Sequence, residues 1–378
     1  MSIQLSEDQE LIRNMAREFA EKELMPIAAE IDRTHEFHEA SFKAMGEQGF
    51  FGLSMPEEYD GGGDYLSFIT CVEELSRGSS AHANALSVHI SVNCSSILNF
   101  GSDYLKEKYL PPMCRGEMYS AFALTEPNAG SDASALLATA VRDGDNYILN
   151  GTKCFITMGG KAGVYIVIAM TDKSKGVKGL SAFVVEPSFP GFKVGQFEDK
   201  MGQCGIPTSE IIFTNCVVPR ENLLGEEGMG FKVAMKGLDS GRVSIGAQAV
   251  GLAQAALEAA VTYSKQRVAF GKPISANQGL QWMLADMAVD IEASRLLVQN
   301  AAMKKQLGLP YGKEAAMAKL FASEAVMRIT TKAVQIHGGI GYTKSYPVER
   351  YMREAKIHEI YEGTSEIQRI VISRAVLS

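Results

Sequence analysis

Val164-Tyr165-Ile166-Val167-Ile168-Ala169-Met170 is a short apolar run, rich in β-branched residues, and it reads as a buried strand. Similar short or period-two runs surround it at Tyr147 to Leu149, Leu180 to Val185 and Ile211 to Val218, separated by turn signals such as Gly144-Asp145-Asn146. Outward from this centre the period changes on both sides. From Ser6 to about Tyr119 the apolar residues recur at helical spacing, as in Leu11, Met15, Phe19 and Ile69, Val72, Leu75, with Gly61-Gly62-Gly63 and Pro111-Pro112 as punctuation. After Gly228 the helical period returns in long Ala- and Met-rich stretches: Ile245 to Gln266, Leu280 to Leu307, Ala315 to His337 and Ser365 to Val376. The expectation is an α+β chain of three domains. These are an N-terminal all-α domain (1–119), a middle β-barrel-like domain (120–227) and a C-terminal four-helix bundle (228–378).

Composition excludes several classes. The 378 residues, 46% hydrophobic and 21% charged, describe a globular chain with a large core. A net charge of -7 gives no footprint for a polyanion, so nucleic acid is not an expected partner. The six cysteines form no CxxC pair, which fits free thiols in a reducing compartment. Met1 to Lys22 mixes acids and bases without an apolar core segment, and no run approaches membrane-spanning length. The expectation is a cytoplasmic protein that binds neither membrane nor nucleic acid. The α, β, α order and the lack of a GxGxxG after a strand argue against a doubly wound sheet. No Walker, HExxH or GxSxG motif is present, and the six histidines lack metal spacing, so no metal site is expected.

Five segments carry candidate chemistry. Tyr361-Glu362-Gly363-Thr364 puts one carboxylate beside glycine at a bend, directly before a helix that Thr364 or Ser365 can cap. Such a glutamate suits proton removal if burial lifts its pKa, and the helix start suits an anion. Leu124-Thr125-Glu126-Pro127-Asn128-Ala129-Gly130-Ser131-Asp132 offers hydroxyls and accessible N–H groups for a polar ring edge or a pyrophosphate, and alone it reads as a turn. Gly151 to Thr157 reads as one strand with Phe155 and Thr157 on a common face, suited to stacking on a planar group and bonding its heteroatom, or equally to a β-core edge. Gln266 to Lys272 and Gln335-Ile336-His337-Gly338-Gly339 end long helices, and each reads by itself as a cap.

Together and in this order, these segments resemble the acyl-CoA dehydrogenase family over Leu5 to the C-terminus, most specifically through Thr125 to Asp132, Arg267 to Phe270, Gln335 to Gly339 and Tyr361 to Thr364. Within it, Leu223-Leu224-Gly225-Glu226-Glu227-Gly228 and Tyr263-Ser264-Lys265-Gln266-Arg267 are similar to the bacterial short-chain, butyryl-CoA type. The resemblance implies FAD between the β domain and the bundle. Phe122, Leu124 and Thr125 would meet the flavin, and Gly130 and Ser131 would lie at a phosphate of FAD or, for Ser131, at the pantetheine arm of CoA. Phe155 and Thr157 would pack on the ring and bond near N5; many relatives carry Trp at Phe155, so here only the packing role survives. Arg267, Phe270, Gln278, Gln335, Gly338 and Gly339 would reach the FAD of a neighbouring subunit, while Thr364 and Glu366 would hold FAD from their own helix start. Asp239 and Arg242 would bind CoA, with Tyr361 and Gly363 beside the substrate.

The implied reaction is α,β-dehydrogenation of an acyl-CoA to a trans-2-enoyl-CoA. Glu362 takes the α-proton, the β-hydrogen leaves as hydride to flavin N5, and the Glu362 N–H stabilises the developing enolate. Branches of the family that place the base on the first bundle helix would have it at Gly241, and glycine cannot serve, so the work falls to Glu362. No Lys or Arg occurs in His82 to Phe100, which disfavours a dicarboxyl substrate. His89 on that stretch reads as packing, with contact to the acyl tail as the alternative. The resemblance further implies a homotetramer, arranged as a dimer of dimers, and an electron-transferring flavoprotein as acceptor. The alternatives are an acyl-CoA oxidase using oxygen, a nucleic-acid-associated flavoprotein relative, and a cyclic or branched acyl substrate. Chain length depends on packing around Ile90, Cys94, Leu238 and Tyr361.

Overall fold

The computed structural model describes residues 4–378; residues 1–3, which belong to the expected first domain, lie outside the described residues. The chain opens with seven helices: α1 (Glu7–Phe19), α2 (Met25–Thr34), α3 (Glu39–Glu47), α4 (Tyr65–Gly78), α5 (Ser80–Val88), α6 (Ser95–Phe100) and α7 (Asp103–Cys114). Ser6 starts α1 with a capping box: its hydroxyl accepts from the Gln9 N–H, and its own N–H donates to Gln9 Oε1 at 2.9 Å. Wider π turns, Ala20–Leu24 and His89–Cys94, join α1 to α2 and α5 to α6. Nearly every residue of α4 and α5 is buried, so these two helices form the inner layer. Pro111 and Pro112, expected as a break, lie inside the last turn of α7. The helix continues through them to Cys114, and the N–H groups of Arg115, Glu117 and Met118 close its end on the two proline carbonyls.

The middle region holds β1 (Ser120–Ala123), β2 (Thr139–Asp143), β3 (Asn146–Thr157), β4 (Val164–Met170), β5 (Leu180–Val185), β6 (Phe192–Phe197), β7 (Thr208–Pro219) and β8 (Leu223–Leu224). They pair in the order β6-β7-β3-β2-β4-β5-β8, with β1 parallel to β4. The two halves of this sheet meet at a single pair, Thr139 with Met170, and then fold onto each other. Tyr147 on β3 packs against Phe183 on β5, and Tyr165 on β4 against Phe192 on β6, both with ring centroids 4.9 Å apart. The barrel-like expectation is realised as a folded sheet whose end strands β6 and β8 do not pair with each other among the described residues.

The last region contains α8 (Gly230–Gln266), a small hairpin of β9 (Val268–Ala269) and β10 (Lys272–Pro273), α9 (Gln278–Gln306), α10 (Gly312–His337), α11 (Val348–Lys356) and α12 (Ser365–Leu377). Helix α8 begins fifteen residues before the periodic stretch at Ile245, because Gly230, Gly237 and Gly241 dilute its apolar pattern. Arg353 of α11 clamps the chain together: its guanidinium donates to both Asp32 oxygens on α2, at 2.9 and 2.6 Å, and to the Met201 carbonyl at 2.9 Å.

A second buried pair shapes the loop after β1. Lys153 is fully buried and donates to Glu126 Oε1 at 2.7 Å and to the Leu124 carbonyl at 2.9 Å. Glu126 in turn accepts from the N–H groups of Leu137 and Ala138. Removing one partner of such a pair strands the other charge in the interior. Glu126→Ala is therefore expected to destabilise the protein by about 3–5 kcal/mol, measured by urea unfolding; a loss well under 1 kcal/mol would mean that Lys153 has found water.

Candidate active site

The Tyr361 to Thr364 loop is built by two successive left-handed residues, Glu362 at φ 53° and Gly363 at φ 95°. The second must be glycine on two counts, since a Cβ there would also lie 2.8 Å from Gln368 Nε2. Thr364 then caps α12, its hydroxyl accepting from the Ile367 N–H at 3.3 Å. Helices on every side hold the turn. Lys319 Nζ of α10 and Gln368 Nε2 of α12 both donate to the Gly363 carbonyl at 2.8 Å. The Tyr361 hydroxyl donates to Gln248 Oε1 of α8 at 2.7 Å, and Gln248 Nε2 donates to the Ser80 carbonyl of α5 at 2.7 Å.

This scaffold lays the Glu362 carboxylate against the backbone of α8 at Gly241. A Cβ at 241 would stand 1.9 Å from Glu362 Oε2, so any other residue there must displace the acid. Both carboxylate oxygens are out of solvent and without a hydrogen-bond partner among the described residues. Burial pushes the group up to about 7, opposed by the positive charges of Arg242 and Lys319. The Glu362 backbone N–H also has no partner among the described residues. The site thus offers a poised acid and a free donor on one residue.

Arg242 is buried on the same helix and donates to Asp239 Oδ1 at 2.6 Å. Burial raises Asp239 above the usual carboxylate range in spite of that pair. Tyr65 of α4 donates to the Ser240 carbonyl at 3.0 Å, and Lys305 of α9 bonds Ser240 Oγ with its ammonium 3.7 Å from the Tyr65 ring centre. Burial brings Lys305 down to about 7.

A second group of candidates lies on the β domain. Phe122 is half-buried and Leu124 buried, and Thr125 fixes its loop to β3 by accepting from the Cys154 N–H at 2.9 Å. The reading of Gly151 to Thr157 as one regular strand needs correction: the β3–β7 register shifts between Lys153 and Ile156, and Phe155 sits in that bulge at φ 57°. The bulge turns the Phe155 ring out of the domain, 63% exposed. The hydroxyls of Thr125 and Thr157 make no hydrogen bond among the described residues, while Gly130 and Ser131 are exposed in the loop beyond.

A third group is exposed at one end of the bundle. The tip of the β9–β10 hairpin, Phe270-Gly271, has two left-handed residues, and Phe270 is fully exposed. Gln266 to Lys272 was expected to be a plain helix end; the added hairpin follows from this turn. Arg267, Gln278, Gln335, Gly338 and Gly339 are exposed nearby in the sequence of α8, α9 and α10, and Tyr263 stacked on His337 at 4.3 Å ties the ends of α8 and α10 together. Among the described residues no hydrogen bond joins this group to the β-domain group. Glu366 is exposed in the first turn of α12. Of nine non-glycine residues at positive φ among the described residues, Phe155, Phe270 and Glu362 are three that the sequence singles out, and such strain concentrates at functional sites.

Sequence reasoning missed Lys319, Gln368, Gln248, Tyr65 and Lys305. Lys319 left a legible signal, a charged residue on the apolar stripe Ala315, Ala318, Ala322, Val326 of α10. His89 is packing: its ring nitrogens bond Ser120 Oγ at 2.9 Å and the Met113 carbonyl at 3.1 Å. All six cysteines are buried and free.

Family models for the N-terminal, middle and C-terminal domains of acyl-CoA dehydrogenase match residues 6–117, 121–216 and 228–377. The short-chain specific acyl-CoA dehydrogenase of Clostridium acetobutylicum is 52% identical over 375 residues, 99% of each chain. The solved butyryl-CoA dehydrogenase of Megasphaera elsdenii is 48% identical and superposes with a TM-score of 0.98 over all of both chains. A structure from work on the electron transferring flavoprotein of Acidaminococcus fermentans and flavin-based electron bifurcation is 54% identical, with a TM-score of 0.99 over all of both chains. The chain belongs to the acyl-CoA dehydrogenase family. It is an oxidoreductase whose activity is acyl-CoA dehydrogenation, with FAD as cofactor. The oxidase and nucleic-acid alternatives are not favoured.

The raised Glu362 value has a stability consequence. The folded value exceeds the unfolded one near 4.5, so ionising the folded protein costs stability as pH climbs from about 4.5 through about 7. Glu362→Gln removes that cost and is expected to gain roughly 3 kcal/mol at pH 8 and little near pH 4.5, read from melting curves at both pH values.

Proposed function

We propose that this chain dehydrogenates a short-chain acyl-CoA with Glu362 as the base. The observation that carries the reading is the buried, unpartnered Glu362 carboxylate beside its own unpartnered N–H. Above its raised value the carboxylate is ionised and poorly solvated, which makes it a strong base toward the α-carbon. The N–H is placed to receive the thioester oxygen as charge builds on it, a contact worth about 3–4 kcal/mol of barrier. Arg242, paired with Asp239, would hold the CoA portion, and Ser131 would serve its pantetheine arm. Tyr361, pinned through Gln248, and Gly363 would border the acyl chain, with Ile90, Cys94 and Leu238 setting its depth.

The residues present fit FAD, because the outward Phe155 ring and the unengaged Thr125 and Thr157 hydroxyls form a stacking face with polar contacts beside it. Phe122, Leu124, Thr125, Phe155 and Thr157 would hold the flavin, Gly130 and Ser131 a phosphate, and Thr364 and Glu366 the part nearest the start of α12. When bound, FAD accepts the β-hydrogen as hydride. Arg267, Phe270, Gln278, Gln335, Gly338 and Gly339 would complete the site from a second copy of the chain. Support for a homotetramer comes from α9, where exposed Trp282, Val289 and Leu296 recur every seven residues as a seam for another helix. An electron-transferring flavoprotein is the proposed acceptor, supported by the Acidaminococcus relative. The free thiols support a reducing cytoplasm.

Glu362→Gln keeps size but removes the base. The variant is expected to bind FAD and butyryl-CoA while substrate bleaching of the flavin slows by several orders of magnitude; Glu362→Asp is expected to lose about a hundredfold, since its carboxylate is misplaced by about 1 Å. Near-normal bleaching in Glu362→Gln would remove the base assignment. Sedimentation is expected to give a tetramer with about one FAD per chain, and a flavin-loaded monomer would overturn the shared cofactor site.

A further inference from the structure

We propose that Lys319 is the positioning residue of the base, holding the left-handed Glu362-Gly363 turn through the Gly363 carbonyl and setting, as a buried cation, the pH at which Glu362 ionises. The inference rests on Glu362 being the base. Lys319 lies in the middle of α10 with no exposed surface. Its ammonium has one hydrogen-bond acceptor among the described residues, the Gly363 carbonyl at 2.8 Å, and no carboxylate within ion-pair distance. Placing a cation in the interior without a paired anion is costly, and packing alone would be served by leucine or methionine. Its location is consistent with work done on the loop.

The geometry specifies two kinds of work. Glu362 at φ 53° is strained for a residue with a side chain, and the turn persists only if its surroundings fix it. Lys319 and Gln368 fix it by converging on one carbonyl, immediately after the base. The second kind is electrostatic. The charged and titratable groups facing Glu362 are Arg242 of α8 and Lys319 of α10, with the phenols of Tyr65 on α4 and Tyr361 in the loop itself. Arg242 is neutralised in part by Asp239 at 2.6 Å, whereas Lys319 has no such partner. Around Lys319, Glu359 and His358 contribute from the turn after α11 and Glu366 from α12. Burial outweighs these and brings Lys319 down to about 8, above the Glu362 value of about 7, so the ammonium is mostly charged as Glu362 begins to ionise.

The test separates the hydrogen bond from the charge. Lys319→Gln keeps a donor near the carbonyl and removes the charge, and Lys319→Met removes both. In the substrate-free, FAD-loaded protein, the Glu362 carboxyl is titrated by infrared difference spectroscopy, with Glu362→Gln as the blank. Both Lys319 variants are expected to move the midpoint alkaline by about one pH unit or more. The acid limb of kcat/KM for butyryl-CoA should move by the same amount, and Lys319→Met should fall further than Lys319→Gln at every pH. A midpoint unmoved in Lys319→Gln overturns the electrostatic role, and equal rates for the two variants overturn the hydrogen-bonding role. If Lys319→Met does not fold, the Lys319→Gln titration alone decides the charge. Because the infrared band reports Glu362 whether or not it is the base, an active Glu362→Gln would sink the base assignment while leaving the Lys319 result readable.

Discussion

Everything at the centre of this molecule depends on a carboxylate pressed against a helix backbone. Glu362 can occupy its seat only because α8 has no side chain at Gly241, and it stays there only because α10 and α12 grip the next carbonyl. Water is excluded from both oxygens, and no donor among the described residues replaces it. A protein interior tolerates such an arrangement at a cost in stability, and the surrounding bundle is large enough to carry it. The loop is thus short in sequence and long in dependence, since α8, α10 and α12 each touch it and α5 braces it through Gln248.

The same logic explains the domain order. The β domain supplies an exposed aromatic and free hydroxyls from a bulge and a loop, which are the parts of a sheet that can aim side chains away from its core. The helices supply depth, where a charge can be desolvated. Ties such as Arg353 to Asp32 and the Met201 carbonyl hold the regions in register, so that an acid from one and a ring face from another keep a fixed relation.

Much of this was legible in the chain. Strand runs such as Val164 to Met170 and the long α9, α10 and α12 periods are strong signals, because one face or the whole segment is buried. Short strands such as β2 and β6 carry exposed residues and show no period, and α11 hid behind its charges. In the site, Glu362 and its glycine were readable from the loop. Gly241 drew notice as a missing base, whereas its steric meaning needed coordinates. Gln368 was invisible because its partner is a main-chain carbonyl, which no residue type announces, and Lys319 showed only as a charge on an apolar stripe, a signal that does not say what it bonds.

The fully exposed Phe270 at the tip of its two-residue hairpin has a consequence of a genetic kind. If that tip and the neighbouring Arg267 and Gln335 serve a second copy, then each cofactor is jointly owned, and no chain carries a complete site of its own. A fault in the hairpin would harm a neighbour rather than its bearer's own acid, while a fault at Glu362 would stay at home. Two differently damaged alleles in one cell would then yield some mixed assemblies with an intact site, and inheritance at this locus would follow the assembly rather than the gene.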